Sequence, residues 1–484
     1  MIGAISNWLD DRLAFSRSGS KMIDYIFPEQ WSFMLGEIAA YSFIILVITG
    51  VYLALFFVPD GSAYVHYHGS YAPLVGEKMT EQFDSALRIS FDVRGGLLAR
   101  QAHHWAALIF IGSIVVHMAR VYFTAAYRRP RELNWIVGTL LLLLALMNGY
   151  FGYSLPGDLE SGLGVRIGYS ILESIPIVGT YLATMFFQGN FPGSGIYVER
   201  FYILHVFVVP FLIFALLGLH VLLIIKPHHT QFRSRHKRED NVVGSPLWPS
   251  YLYKSTGLFF MVFAVVLFLG ALVQIDPFWL YGPFHAYAQT DATQPDWYIG
   301  WLEGALRIWP NWEITFPGHL IPEQFFPAVF LPACTWLLLW IVPFADRWLT
   351  GDKREHHLLA RPREHPGRTG FGVAMIVFYG DLFLAGGDDV LSTYFGLSSH
   401  AIVWFFRSAL IVAPIVAYAV TWKICHELGK TPVVTSRQRW MYVARNGDRS
   451  FSLRDLPVRP GAPEPEPVEL DAGDSLRAEA AESA

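Results

Sequence analysis

Eight stretches of this 484-residue chain are each long and apolar enough to cross a lipid bilayer as a helix, and few folds can accommodate that. A hydrocarbon core of about 30 Å takes roughly 20 apolar residues of helix. Segments at 33–58, 103–123, 135–155, 197–225, 255–275, 325–345, 371–386 and 400–422 meet that need, the seventh being short and carrying Asp381. Backbone groups have no water to bond in lipid, so the chain is expected to be an all-α polytopic membrane protein with eight transmembrane helices. Hydrophobic residues make up 53% and charged residues 16%, a membrane composition. The net charge of −4, with no basic run interleaved with aromatics, excludes nucleic acid and leaves membrane lipid as the surrounding partner. Cys334 and Cys425 lie far apart in apolar runs, so neither a disulfide framework nor a thiolate metal site is expected. No Cys-x-x-Cys-His run is present to attach a c-type haem. Arg12, Arg17 and Lys21 flank only short apolar stretches with no small-residue cleavage site, so no removable signal peptide is expected.

Basic residues in the connections set the expected orientation. Sixteen lysines and arginines follow the second, fourth and sixth spans, from Arg120 to Arg368, against seven on the opposite side. The positive-inside rule then puts both termini in the cytoplasm and the loops 59–100, 153–196 and 276–324 outside. These outer loops are aromatic and partly apolar, which predicts packing at the membrane surface. The expected divisions are a cytoplasmic N-terminal segment (1–32), a four-helix domain of the first four spans (33–226), a cytoplasmic loop (227–254), a C-terminal four-helix membrane domain (255–425) and a cytoplasmic tail (426–484). The tail is rich in Pro, Glu and Ala after Arg459 and reads as disordered.

Ligand-type side chains are costly in a span and usually mark function. His103 and His117 lie on the second span, His205 and His220 on the fourth. The first two are fourteen apart, which returns to within about 40° of one helix face with a rise of about 21 Å. His104 fails that test and points away from His117. His205 and His220 are fifteen apart, about 60° out of phase the other way, an offset that a local helix distortion would absorb. The two spans run in the same direction, so His103 meets His205 at an outer level and His117 meets His220 at an inner one. A lone buried histidine is ordinarily a hydrogen-bonded core residue, but four at matched depths would each need a separate partner in hydrocarbon. Two imidazoles facing each other are the ligand set of a low-spin b haem, and two stacked pairs make an electron path across the membrane. Gly36 and Gly50 on the first span, and Gly138 and Gly152 on the third, repeat the fourteen-residue spacing. Glycines there suit close approach to a flat macrocycle and equally suit helix packing. Arg100 and Arg120 sit three residues outside His103 and His117, fitting either propionate partners or topological anchors.

On these residues the chain resembles the cytochrome b subunits of cytochrome bc complexes, over about 20–425. The likeness rests on the paired glycines, Arg100-x-x-His103, His117-x-x-Arg120, GYSLPG (152–157), SILESIPIVG (170–179) and Pro295-Asp296-Trp297-Tyr298. The last resembles the family's quinol-oxidation signature Pro-Glu-Trp-Tyr, with aspartate as the acid. DWYIGWLEG (296–304) and the polar C-terminal extension look most like the actinobacterial branch. The fifteen-residue separation of His205 and His220 is similar to plastid and related bacterial forms, yet all eight spans sit in one polypeptide and no cysteine near the first span is placed to hold an extra haem. Gly157 and Asp158 follow Pro156 where many relatives have a Pro-Trp pair.

The resemblance implies two non-covalent b haems and quinone as cofactors, with menaquinone favoured by the actinobacterial likeness and the aspartate. Asp296 is then the proton acceptor for quinol oxidation or a relay to it, with Tyr298 bonding the ring oxygen or steering the carboxylate. Pro295 and Trp297 flank it, and Gly164, Ile175 and Pro176 belong to the short surface helix that forms the other wall. His228, His229, Lys254 and the start of the fifth span are candidates for an inner quinone-reducing site, although the run 226–238 that carries the two histidines also reads as an ordinary basic loop. Ser255 follows Lys254 where the family commonly has an acidic residue. Implied partners are a Rieske iron–sulfur protein, a dihaem c-type cytochrome, a cytochrome oxidase in a supercomplex, and a second copy of the complex. The implied activity is that of a quinol–cytochrome c reductase subunit that translocates protons in a bacterial cell membrane. A secondary transporter would show an inverted repeat, and none is visible; a scaffold subunit has no need of four histidines at two depths.

Overall fold

The computed structural model describes residues 25–430 except 194, 235 and 290–293, together with Trp8, Asp11 and Arg12. The expected N-terminal segment 1–32 and tail 426–484 therefore lie largely outside the described residues.

Eight helices among the described residues are long and apolar enough to cross a membrane: Trp31–Ala54, Gly96–Phe123, Glu132–Tyr153, Tyr197–Ile225, Leu247–Leu272, Phe326–Thr350, Pro366–Ala385 and Ser399–Gly429. The chain is a multi-pass membrane protein. Their outward faces are apolar, with Val51, Phe211 and Phe214 largely exposed, as a lipid-facing surface requires. Four boundaries correct the expectation. The first span ends at Ala54 rather than 58, ahead of Pro59, which disfavours helix in the residue before it. The second starts at Gly96 rather than 103. Arg100 and Gln101 interrupt its first turns, so an apolar run begins only after them although the helix already includes Leu97 and Leu98. The turn before it depends on Gly95 at φ 76° and on Gly96, where a Cβ would stand 1.9 Å from the Ile89 carbonyl oxygen. The fifth is α-helical from Leu252 rather than 255, with Trp248 ahead of it extended at φ −106° and ψ 135°, and the eighth runs beyond 422, through Lys423 and Glu427.

The first span packs on the second, the third on the fourth, and the second also on the third. Their shared core includes Phe43, Phe110, Ile111, Leu142, Phe201 and Ile213. The fifth span does not join the later three. It packs on the first and second, where Gly270 lets it approach the Ala102 backbone, and the sixth leans on the third. The expected division at 227–254 thus separates the spans in sequence without separating two bundles in space.

Loops gather at the two ends. At one end the hairpin of Tyr64–His66 and Lys78–Thr80 leads into the helix Glu81–Phe91, and Phe83 and Leu87 share a buried cluster with Phe278 and Trp279. The helix Leu159–Glu173 is capped by Asp158, whose side chain accepts from the Glu160 and Ser161 N–H groups, and Leu159 N–H donates to the Gly282 carbonyl. The three loops expected outside therefore pack together. At the other end Arg131 donates to the carbonyls of His356 (2.7 Å) and His228 (2.8 Å), and Gln231 N–H to that of His357, which joins the basic loops.

Candidate functional site

The fourth span is not uniformly α-helical. Residues Leu204–Val208 form a π turn that opens on His205, just before Pro210, which has no N–H for the α ladder. A π turn takes one extra residue, so the fifteen residues from His205 to His220 turn through about the angle of fourteen α residues. That distortion brings the fourth span into phase with the second. His103 and His205 face each other with ring centres 6.0 Å apart, and His117 and His220 with centres 6.5 Å apart.

Each imidazole has a glycine behind it. The nearest atoms to a Cβ built at Gly50, Gly152, Gly36 and Gly138 belong to His103, His205, His117 and His220 in turn. At the outer level the Nδ1 atoms are turned to the protein. His103 Nδ1 lies 2.9 Å from the Thr49 hydroxyl, which itself donates to the Ile45 carbonyl, and His205 Nδ1 lies 2.9 Å from the Asn148 carbonyl oxygen. Bonds of that kind keep the proton on Nδ1 and leave the Nε2 lone pair bare. Ring centres 6.0 and 6.5 Å apart leave room for one iron at each level, which His103 with His205 and His117 with His220 would hold. A cavity beside the outer pair is lined by Phe43, Gly50, Gly152 and Tyr153. Buried arginines complete the fit. Two nitrogens of Arg120 have no hydrogen-bond partner among the described residues while its guanidinium lies over Phe33 (4.2 Å), and Arg100 leaves its Nε free. These residues fit two bis-imidazole haems with propionates near each arginine.

Of the four glycines Gly152 is tightest: an added Cβ would stand 2.3 Å from His205 Cε1, against 3.2–3.3 Å for the nearest atoms at the other three. Gly152→Ala is expected to lower outer-level haem occupancy and Gly36→Ala to leave the inner level filled. Haem content and the resolved b-type absorbance bands check this; equal loss from both variants would contradict it.

The outer cavity continues to Asp296 and Tyr298. Asp296 lies just ahead of the short helix Gly300–Ile308. Both its oxygens are engaged: Oδ1 lies 2.7 Å from His104 Nε2, and Oδ2 accepts from the Tyr298 hydroxyl at 3.0 Å. Tyr298 is buried and occupies the notch left by Gly149, where a Cβ would come within 2.5 Å of its oxygen. Burial, then the neighbouring Asp296 charge, pushes the Tyr298 phenol well above its ordinary range, so it stays a donor. Behind His104 stands Asp276, 3.9 Å from its Nδ1 and 3.6 Å from Arg100, which also donates to the Asp276 carbonyl. Burial and the Asp276 charge push Asp158 up to about 7, and burial with Asp158 pushes Glu160 up to about 8.

Trp297 packs toward Gly112 and is partly exposed. Gly164 lies on Leu159–Glu173, while Ile175 and Pro176 fall in the turn that follows that helix rather than on it. None of these three, nor Pro295, lines the cavity. At the opposite end His229 Nδ1 lies 3.0 Å from the Tyr25 hydroxyl and His228 stacks on the Tyr25 ring, whereas the Lys254 ammonium pairs with Glu29 on the surface. His104, Asp276, Thr49 and Gly149 escape a reading of the sequence. The only signal for His104 and Asp276 is a polar residue beside a ligand candidate and one just past a span end.

Four imidazoles in two facing pairs inside a bundle of membrane helices define a cytochrome of the b class. Residues 108–283 match the family model described as "Cytochrome b(N-terminal)/b6/petB". The chain is 48% identical over 422 residues to the cytochrome bc1 complex cytochrome b subunit of Streptomyces coelicolor, covering 87% of this chain and 77% of that one. It is 45% identical over 418 residues to that of Mycobacterium tuberculosis (strain ATCC 25618 / H37Rv), covering 86% and 76%. The chain belongs to the family of cytochrome bc1 complex cytochrome b subunits, a family that binds b-type haem and quinone. A solved hyperthermophilic respiratory complex III chain shares the fold at 22% identity, with a TM-score of 0.60 over 85% of this chain and 99% of that one.

Proposed function

We propose that this chain binds two b haems, one between His103 and His205 and one between His117 and His220, and serves as the quinol-oxidising and electron-carrying subunit of a quinol–cytochrome c reductase. The observation that carries the reading is the pair of imidazole couples at two depths, each ring backed by its own glycine. Haem held by two imidazoles has no open iron position and supplies one-electron transfer only.

The protein's own groups do the rest. Asp296 takes a proton from menaquinol at the outer face; Tyr298 and His104 hold the carboxylate in place by its two oxygens. Pro295, Trp297, Gly164, Ile175 and Pro176 form the wider walls of the quinol's approach. Arg100 and Arg120 neutralise the propionates at the outer and inner levels. At the inner face His228 and His229 face the quinone that is reduced, with Lys254 at the rim. Protons leave outside and enter inside, both termini being cytoplasmic in a bacterial cell membrane. The partners are a Rieske iron–sulfur protein, a dihaem c-type cytochrome, an oxidase in a supercomplex and a second copy of the complex.

A reduced-minus-oxidised spectrum with a haem assay tests the reading: two b haems per chain are expected, and one or none would overturn it. Extraction of the purified complex should yield menaquinone; a complex carrying only ubiquinone would reject that part.

A further inference from the structure

We propose that Glu37, on the first span, is the carboxylate that passes a proton to the quinone at the inner site; this rests on the inner quinone-reducing reading given above. A carboxylate near the end of an apolar span is expensive unless it is used. Three hydroxyls converge on this one. Ser255 donates to Glu37 Oε2 at 2.5 Å, Tyr41 donates to the same oxygen at 3.1 Å, and Tyr251 donates to Oε1. The Tyr41 and Ser255 oxygens also lie against each other. Two of the three hydroxyls come from the start of the fifth span, more than two hundred residues away in sequence.

The position is right for the inner level. Gly36, the neighbour of Glu37, is the glycine that backs His117. Tyr251 stacks on Phe27 with ring centres 4.1 Å apart, Phe27 lies 4.8 Å from His229, and His229 is bonded to Tyr25. Together they make an aromatic wall with Glu37 at one end and His229 at the other, suited to a flat quinone ring.

Other candidates for the proton are less well placed. Lys254 is turned to Glu29, with both side chains about half exposed at 53% and 49%. Burial, then the charge of Arg131, pushes His229 down to about 4, which leaves it neutral and without a proton to spare. Glu37 is partly exposed, so water at the inner face can restore its proton.

The balance is simple. Quinone gains two electrons, derived one at a time from quinol oxidised at the outer site, and each carbonyl oxygen gains one proton. Glu37 gives one, directly or through the hydroxyl of Tyr251 or Ser255, and recovers it from water; the second comes from the same water.

The intact complex is mixed rapidly with substoichiometric short-tailed naphthoquinol, and the b-haem absorbance is followed as it rises through the outer site and decays through the inner one. In Glu37→Gln the rise should match wild type and the decay should slow by about tenfold or more. Glu37→Asp, which keeps the acid, should decay within a few fold of wild type. Wild-type decay in Glu37→Gln, or equal slowing in Glu37→Asp, would overturn the assignment. If Glu37→Gln does not assemble, Tyr251→Phe keeps the ring and removes one hydroxyl; slower decay then supports the relay and unchanged decay rejects it. A wild-type rise with no decay would instead count against the inner quinone-reducing reading itself.

Discussion

Replacing His117 by Leu should yield a complex that keeps the outer b haem and loses the inner one, and His205→Leu should do the reverse. Leucine fills much of the imidazole volume but offers no lone pair, so the iron at that level loses an axial ligand while the packing loss stays modest. Each variant should show about half of the wild-type b-type absorbance, because the two sites share no ligand. Quinol oxidation should cease in His205→Leu, since the second electron has nowhere to go, whereas His117→Leu should still pass an electron to the outer level and stop there. Haem extraction and difference spectra on the purified complex are the measurements; wild-type haem content in either variant would refute the pairing.

Asp296→Asn should slow quinol oxidation by about a hundredfold while leaving both b haems in place. The amide occupies the same space and can still accept from Tyr298 through its oxygen, but it cannot take a proton from quinol. Contact with His104 at 2.7 Å is replaced by a weaker neutral hydrogen bond. The effect belongs in kcat more than in KM, because the lost interaction is made with a proton in transfer. Unchanged turnover would show that another group accepts the proton, with Asp276 the nearest carboxylate behind His104.

Much of the site is legible in the amino-acid spacing. Fourteen residues on the second span put His103 and His117 on one stripe, and the same spacing in the glycines matches it. Fifteen residues between His205 and His220 call for a distortion, and the π turn at Leu204–Val208 supplies it. Pro210 is the local mark of the break. For His104 the helical phase gives half of the answer: it points away from His117, as its phase requires, but its partner Asp296 lies 192 residues further along. No local pattern links two such positions. The same holds for Glu37, whose hydroxyl partners on the fifth span are joined to it only because that helix packs on the first.

Sequence alone determined that the chain crosses a membrane in helices, that two of them carry histidines at two depths, and that an acidic motif follows the fifth span. Those properties are periodic or compositional, and the bilayer's thickness and the 3.6-residue turn convert them directly into structure. Tertiary packing decided which ring faces which, which glycine makes room for each imidazole, how the fifth span closes on the first pair, and which groups hold Asp296. Contacts of that kind depend on how whole helices settle against one another, and the free energy that selects them is spread over many apolar side chains with no signature at the residues that meet.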